Sequence, residues 1–304
     1  MLESILADIR REFSFGNVVT RLVIINVAVF IAINLIRLIF YLGNAGEIPP
    51  LYHDIVHFFS VSSDIKHNLT HPWVFVTSIF LHESFWHLLW NMLFLYWFGR
   101  IVGDLLGDRK VFPIYLLGGM VGCIVFWMSA QLLPYMQGYT GYALGASAGV
   151  MAIVVTSGMI APDYIMRLIL LGDIRLKYIV FALVLLDLFA LAGNSNTGGH
   201  FAHLGGVAMG WLFVSQLRAG NDWSEGVNNL MDKVVNFFKG ERIPVSRSKE
   251  AKIVKKTFSK SEPKQYSEDE IQERIDIILE KIKKTGYDSL SSEEKEFLNN
   301  ASSR

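Results

Sequence analysis

Long apolar runs alternate with short charged loops along this chain, and the runs have the length of membrane-crossing helices. No Lys, Arg, Asp or Glu occurs from Val111 to Pro162, and Asp187 is the only formal charge from Tyr178 to Leu217. A bilayer-spanning helix needs about 20 mostly apolar residues, so each stretch has room for two spans and a turn. With one run near the N-terminus and another before Arg100, the pattern predicts six spans, over about 20–42, 75–98, 111–131, 146–162, 176–193 and 201–218. The fold expected is an all-α membrane protein, a bundle of six transmembrane helices.

The flanking regions follow different patterns. Residues 1–19 read as an amphipathic segment, with Leu2, Ile5, Leu6, Ile9 and Phe13 apolar and Arg10 and Arg11 on the flank. They lack the basic start, short apolar stretch and cleavage site of a signal peptide. The loop 44–74 is long, carries Pro49 and Pro50, and is read as functional or packed on the membrane face. Beyond the six-span domain, 20–218, composition changes abruptly. Residues 219–266 read as a basic flexible linker, with eight Lys or Arg against three Glu between Gly240 and Tyr266. Residues 267–304 read as a helical hairpin: Ser267 and Glu270 form one capping box, Ser291 and Glu294 another. Such a pair buries little on its own and is expected to be a docking appendage, with protein or inner-leaflet lipid as its partner.

Composition agrees with the pattern. Hydrophobic residues make up 52% of the 304, mean hydropathy is +0.35, and 28 Lys and Arg balance 28 Asp and Glu. That balance gives no electrostatic footprint for nucleic acid; the partner it implies is the lipid bilayer. Charge sign is uneven between loops. Arg100, Arg109 and Lys110 follow span two, and Arg167, Arg175 and Lys177 follow span four, whereas Lys66 is the only Lys or Arg in 44–74, 132–145 and 194–200. The positive-inside rule then places both termini in the cytoplasm. Cys123, the single cysteine, lies in an apolar run and is read as a packing residue.

Three polar constellations fall within the predicted spans. Gly145-Ala146-Ser147-Ala148-Gly149 opens span four, where free N–H groups and the helix dipole favour negative charge. It reads either as a nucleophile or as a small-residue packing device. His203 opens span six beside Gly206 and Gly210, a small-xxx-small face, at a depth similar to Ser147. It reads as a general base or as half of an interhelical polar pair. His87 and Asn91 are four apart and share a helix face, as two oxyanion donors or as a polar packing face. His82 precedes His87 by five residues, about 140° around a helix. A zinc protease needs His-Glu-x-x-His; here the spacing is one residue too long, so neither metal nor cofactor is expected. Asp187 is assigned to the framework of span five rather than to catalysis.

Taken in order, the three motifs over about 20–218 resemble the rhomboid family of intramembrane serine proteases. By that resemblance Ser147 is the nucleophile and His203 the base. The backbone N–H of Ser147 with the side chains of His87 and Asn91 forms the oxyanion hole. His82 supports the site through hydrogen bonds, Gly145 belongs to the Gly-x-Ser motif, and Gly206 and Gly210 are helix-packing glycines. The activity implied is serine endopeptidase cleavage of transmembrane protein substrates within or next to a membrane helix, by a dyad without a third member. A bacterial inner membrane is the compartment implied. Ala148, Met151 and the Trp73-Val74 pair depart from the residues common in the family, and the tail around Gly286-Tyr287 resembles one found on some bacterial members. The competing readings are a non-proteolytic client-binding relative, which would lack nucleophile or base, a metalloprotease, and a transporter, which would show matching halves.

Overall fold

The computed structural model describes residues 16–136, 140–168, 172–193, 196–239 and 278. The amphipathic reading of residues 1–15, the linker beyond 239 and, apart from residue 278, the C-terminal hairpin lie outside the described residues.

Helix α1 (Val18–Gly43) opens on Asn17, whose side chain accepts from the Thr20 N–H at 2.9 Å. Such a cap satisfies one of the donors every helix start leaves open. Another, the Val18 N–H, reaches Asp108 Oδ2 at 2.8 Å. The long loop that follows is folded rather than open. It contains α2 (Pro50–Phe58), β1 (Val61–Ser62), α3 (Ile65–Thr70) and α4 (Val74–Thr77). Buried Asn68 clamps β1, accepting from Ser62 N–H at 2.9 Å and donating to Ser62 O at 2.7 Å. The indole N–H of Trp73 donates to Phe58 O at 2.8 Å.

The second span corrects the hydropathy reading. Helix α5 runs Phe85–Leu106, not from near residue 75. The apolar residues before it form α4 and a short 3-10 turn, and bury Val74, Ile79 and Leu81 in the core. Hydropathy counts those residues alike whether they face lipid or protein. His82 therefore sits in the segment between the 3-10 turn and α5, and its separation from His87 is not an angle around one helix. At the other end, α5 stops where Gly107 adopts φ +93°, a conformation open to glycine.

Helix α6 (Val111–Leu132) leads to β2 (Tyr142–Ala143), which pairs antiparallel with β1, Val61 opposite Ala143 and Ser62 opposite Tyr142. Next comes α7 (Ser147–Ile160), then the hairpin β3 (Ile165–Leu168) and β4 (Gly172–Arg175). Helices α8 (Leu176–Ala190) and α9 (Thr197–Arg218) follow. These two short strand pairs are the only strands among the described residues; the fold is otherwise helical, as expected.

Helix α7 is the centre: ten of its fourteen residues are buried. Glycines on both neighbours make this possible. A Cβ on Gly118 or Gly122 of α6 would fall 2.3 Å from Ala152 Cβ or 2.4 Å from Ala148 Cβ, so the α6 backbone touches α7 directly. Outward surfaces are apolar instead. Leu35, Leu38, Ile39 and Leu42 of α1, Trp86 and Trp90 of α5, and Phe181, Leu186 and Phe189 of α8 are all exposed. By length and composition, two helices among the described residues would cross a membrane, Val18–Gly43 and Asp108–Leu132.

Helix α10 (Trp223–Lys239) occupies the first part of the region read as flexible linker. Its apolar residues Trp223, Val227, Leu230, Met231 and Val234 recur at helical spacing, a signal that the basic run after it obscures. The α5–α6 turn holds it: Lys110 pairs with Asp222, Arg109 with Asp232 at 2.9 Å, and Asn228 donates to Arg109 O at 3.0 Å. Burial alone would raise the Asp222 carboxyl, but the Lys110 ammonium and Ser224 hold it below the usual carboxylate range.

Candidate active site

Ser147 is the first residue of α7, and the backbone leading to it is fastened at four points. Ser63 N–H donates to Gly141 O at 2.9 Å and Gly141 N–H to Ser63 Oγ at 3.1 Å. Gly145 N–H donates to Ser78 O at 2.8 Å and Ala146 N–H to His82 Nε2 at 3.2 Å. Gly145 has φ +125°, and a Cβ there would lie 2.6 Å from His87 Cε1. Only glycine suits that position on both counts. The first helical bond of α7 runs from Val150 N–H to Ala146 O at 2.9 Å. The N–H groups of Ser147, Ala148 and Gly149 thus stand outside the ladder, at the positive end of the helix.

Helix α9 brings His203 to the serine. Its Nε2 lies 2.7 Å from Ser147 Oγ, and its Nδ1 lies 2.8 Å from Asp187 Oδ1. His200, one turn earlier, places its own Nδ1 2.7 Å from the same oxygen. A carboxylate accepts only, so both imidazoles carry their proton on Nδ1. In the neutral imidazole Nε2 of His203 is then the acceptor facing the Ser147 hydroxyl, the tautomer a general base requires. The Asp187 side chain is 10% exposed, and its second oxygen, Oδ2, is buried without a hydrogen-bond partner among the described residues.

The remaining residues form a second layer against the segment before Ser147. Buried His82 accepts from Ala146 N–H through Nε2, so it too is neutral with its proton on Nδ1. The Asn91 amide lies 3.3 Å from the same Nε2 and donates to His87 O at 2.9 Å. One amide hydrogen is thus bonded to His87 O, and the other shares the single Nε2 lone pair with the Ala146 N–H. His87 packs edge-on against His82, ring centroids 5.1 Å apart. The structure thus brings Ser147, His203, Gly145, His87, Asn91 and His82 into one neighbourhood, with Asn91 turned to His82 rather than left open. Gly206 and Gly210 lie on the α9 face against α7, where added Cβ atoms would meet Ala148 O at 2.0 Å and Ala152 O at 2.5 Å.

Sequence reasoning assigned Asp187 to the framework; the structure sets it against the base. The signal available was its isolation, one carboxylate in an apolar run of 40 residues from Tyr178 to Leu217, where an unneutralised charge is expensive. Asp187, His200 and His203 are also the one group of three ligand atoms, all within 4.8 Å, that could hold a metal ion among the described residues. The distances from Oδ1 to the two Nδ1 atoms are those of hydrogen bonds.

Residues 69–219 match the Rhomboid domain, and residues 264–304 match a family of unknown function, DUF6576. The chain is similar to Rhomboid-like protein 11, chloroplastic, of Arabidopsis thaliana, 30% identical over 175 residues, 52% of this chain and 58% of the relative. It is 24% identical over 175 residues to the Presenilin-associated rhomboid-like protein, mitochondrial, of Bos taurus, covering 56% and 44% of the two chains. Rhomboid protein 1, mitochondrial, of Saccharomyces cerevisiae is 27% identical over 139 residues, 45% and 40% of the two chains. The chain spans about half the length of the curated relatives it matches.

Proposed function

We propose, from the rhomboid-family membership that these likenesses support, that the protein is an intramembrane serine endopeptidase acting through Ser147 and His203. The observation that carries the reading is the 2.7 Å contact between His203 Nε2 and Ser147 Oγ at the start of a buried helix. In the proposed reaction Ser147 Oγ bonds to a scissile carbonyl carbon while its proton passes to His203 Nε2. The tetrahedral oxyanion forms beside the free N–H groups of α7. His203 returns the proton to the leaving amine as the C–N bond breaks, and water then hydrolyses the acyl-enzyme by the same route.

Helices α1 and α5 to α9 are the six proposed spans, their exposed apolar faces turned to lipid, with both termini cytoplasmic. At 1.5 Å per residue α7 is only about 21 Å long, against about 30 Å of hydrocarbon. If its inner end lies at the inner interface, Ser147 lies below the outer one. The substrates proposed are proteins whose membrane helix carries small or helix-breaking residues near its outer end, so that the chain can extend into the site. A bacterial inner membrane is proposed on the sequence resemblance, while the named relatives are chloroplastic or mitochondrial.

The test is to incubate the detergent-purified protein with a fusion carrying a model transmembrane helix, with and without chelator and after a fluorophosphonate that reacts with activated serines. Cleavage should be indifferent to chelator and blocked by the fluorophosphonate. Cleavage abolished by chelator would transfer the reaction to a metal at Asp187, His200 and His203. No cleavage of any substrate, with Ser147 unlabelled, would favour a client-binding protein.

Asn91 supplies a finer prediction. A donor aimed at the oxyanion in advance is worth about 10²–10³ in kcat. The Asn91 amide must first release His82 or His87 O, so Asn91→Ala should lower kcat by only about 10–100-fold. Initial rates across a substrate series separate this from a change in KM.

A further inference from the structure

Asp187 is an ionisable group, its side chain 10% exposed, that the steps proposed above do not use, and its surroundings are unlike those of a framework residue. Helix α8, which carries it, is otherwise loosely seated: Leu176 is its only fully buried residue, and Phe181, Leu186 and Phe189 are exposed. The carboxylate nevertheless turns inward, is 10% exposed and accepts two hydrogen bonds on one oxygen while Oδ2 has no partner among the described residues. Leaving such an atom bare is costly, and a polar tether between two helices could be made with neutral groups.

We propose that Asp187 is a positioning residue for the reaction, a third member behind His203, and that His200 holds its carboxylate in place. The inference rests on the serine-protease reading above. Three consequences follow from the geometry. The bond from His203 Nδ1–H to Oδ1 fixes the ring's rotation, so that Nε2 stays on Ser147 Oγ. It also fixes the tautomer, since a proton kept on Nδ1 leaves Nε2 free to accept. When Nε2 takes the serine proton, the imidazolium forms 2.8 Å from a carboxylate that offsets its charge; no proton moves to Asp187. His200 and His203 are three apart on one face of α9, so both Nδ1–H groups reach one oxygen without distorting the helix.

The placement also specifies how the site fails. Asp187→Asn keeps an acceptor for both Nδ1–H groups and can put its NH₂ where Oδ2 now lies, so the fold is retained while the charge is lost. Asp187→Ala removes acceptor and charge together.

The experiment measures kcat and KM on the transmembrane fusion, the rate of fluorophosphonate labelling and the melting temperature, for wild type, Asp187→Asn, Asp187→Ala and Ser147→Ala. Expected is a fall in kcat of at least about tenfold for Asp187→Asn and about 10²-fold or more for Asp187→Ala. Labelling should slow in parallel, with KM within about twofold of wild type and the Asp187→Asn melting temperature unchanged. Ser147-dependent cleavage with kcat unaltered in both Asp187 variants would overturn this inference alone. So would losses confined to KM or melting temperature, the mark of a tether. Wild-type cleavage that survives Ser147→Ala would instead remove the reading on which the inference stands.

Discussion

Ser147→Ala is expected to abolish cleavage and fluorophosphonate labelling while leaving the folded protein intact. The substitution removes one oxygen whose only hydrogen bond among the described residues is to His203 Nε2. Helix α7 does not depend on that oxygen for its start: Ala146 is at the cap without a side-chain bond, and the approach is fastened by Gly145 N–H to Ser78 O and Ala146 N–H to His82. Ser147 is also only half-buried, so alanine leaves no sealed cavity. Stability should therefore change by less than about 1 kcal/mol. The chemistry has no comparable reserve, because nothing else at the start of α7 bears a hydroxyl. Removing a nucleophile that works as a unit with its base costs about 10⁶ in kcat, and turnover should fall below detection. Melting curves together with product formation check both halves. Residual turnover within about 100-fold of wild type would show that another group attacks the carbonyl.

What the sequence made legible divides along physical lines. Helices were readable wherever an apolar run is bounded by charge or by glycine, as at Val111–Leu132 and Thr197–Arg218, because lipid-facing and buried residues are both apolar. The same fact hid the start of α5. Residues 74–80 are nearly as apolar as a span, yet Val74, Ser78 and Ile79 are buried in the core while Val76 is exposed, and only a contact could distinguish the two outcomes. Ser147 and His203 were legible together rather than singly: a serine among small residues is a common packing device in membrane helices, but a histidine inside a span is expensive, and the two occur here at matching depth. Asp187 was visible as a charge but not as a partner. Its distance from His203 depends on how α8 leans on α9, and no periodicity along one helix encodes that. Asn91 was legible as a donor, yet not its engagement with His82, because the hydropathy reading ran straight through Ser84, where α5 begins, although serine is a residue that commonly opens helices.

Gly206→Ala should have the largest effect on stability of any single methyl added to the described helices, and it should disable the site from 10 Å scale packing rather than from chemistry. The Cβ would lie 2.0 Å from Ala148 O and 2.8 Å from Ala148 C. Both are backbone atoms of the central helix, so no rotamer change relieves the clash. Helix α7 has little room to shift, since Gly118 and Gly122 of α6 already touch Ala152 and Ala148. Relief requires α9 and α7 to move apart, and α9 carries His203. Overpacking a tight core costs about 1–3 kcal/mol, and with backbone on both sides the upper end is expected here. Gly210→Ala, whose Cβ would stand 2.5 Å from Ala152 O, should cost less. Gly226→Ala on α10, with nothing within 4 Å, should be neutral or stabilising. Melting temperatures in detergent should therefore rise in the order Gly206→Ala, Gly210→Ala, Gly226→Ala. Turnover should fall with Gly206→Ala even well below its melting temperature, because a displaced α9 lengthens the 2.7 Å contact between His203 and Ser147. A Gly206→Ala protein that melts and cleaves like wild type would mean that α7 and α9 do not pack backbone to backbone, and the placement of His203 against Ser147 would have to be rebuilt on another contact.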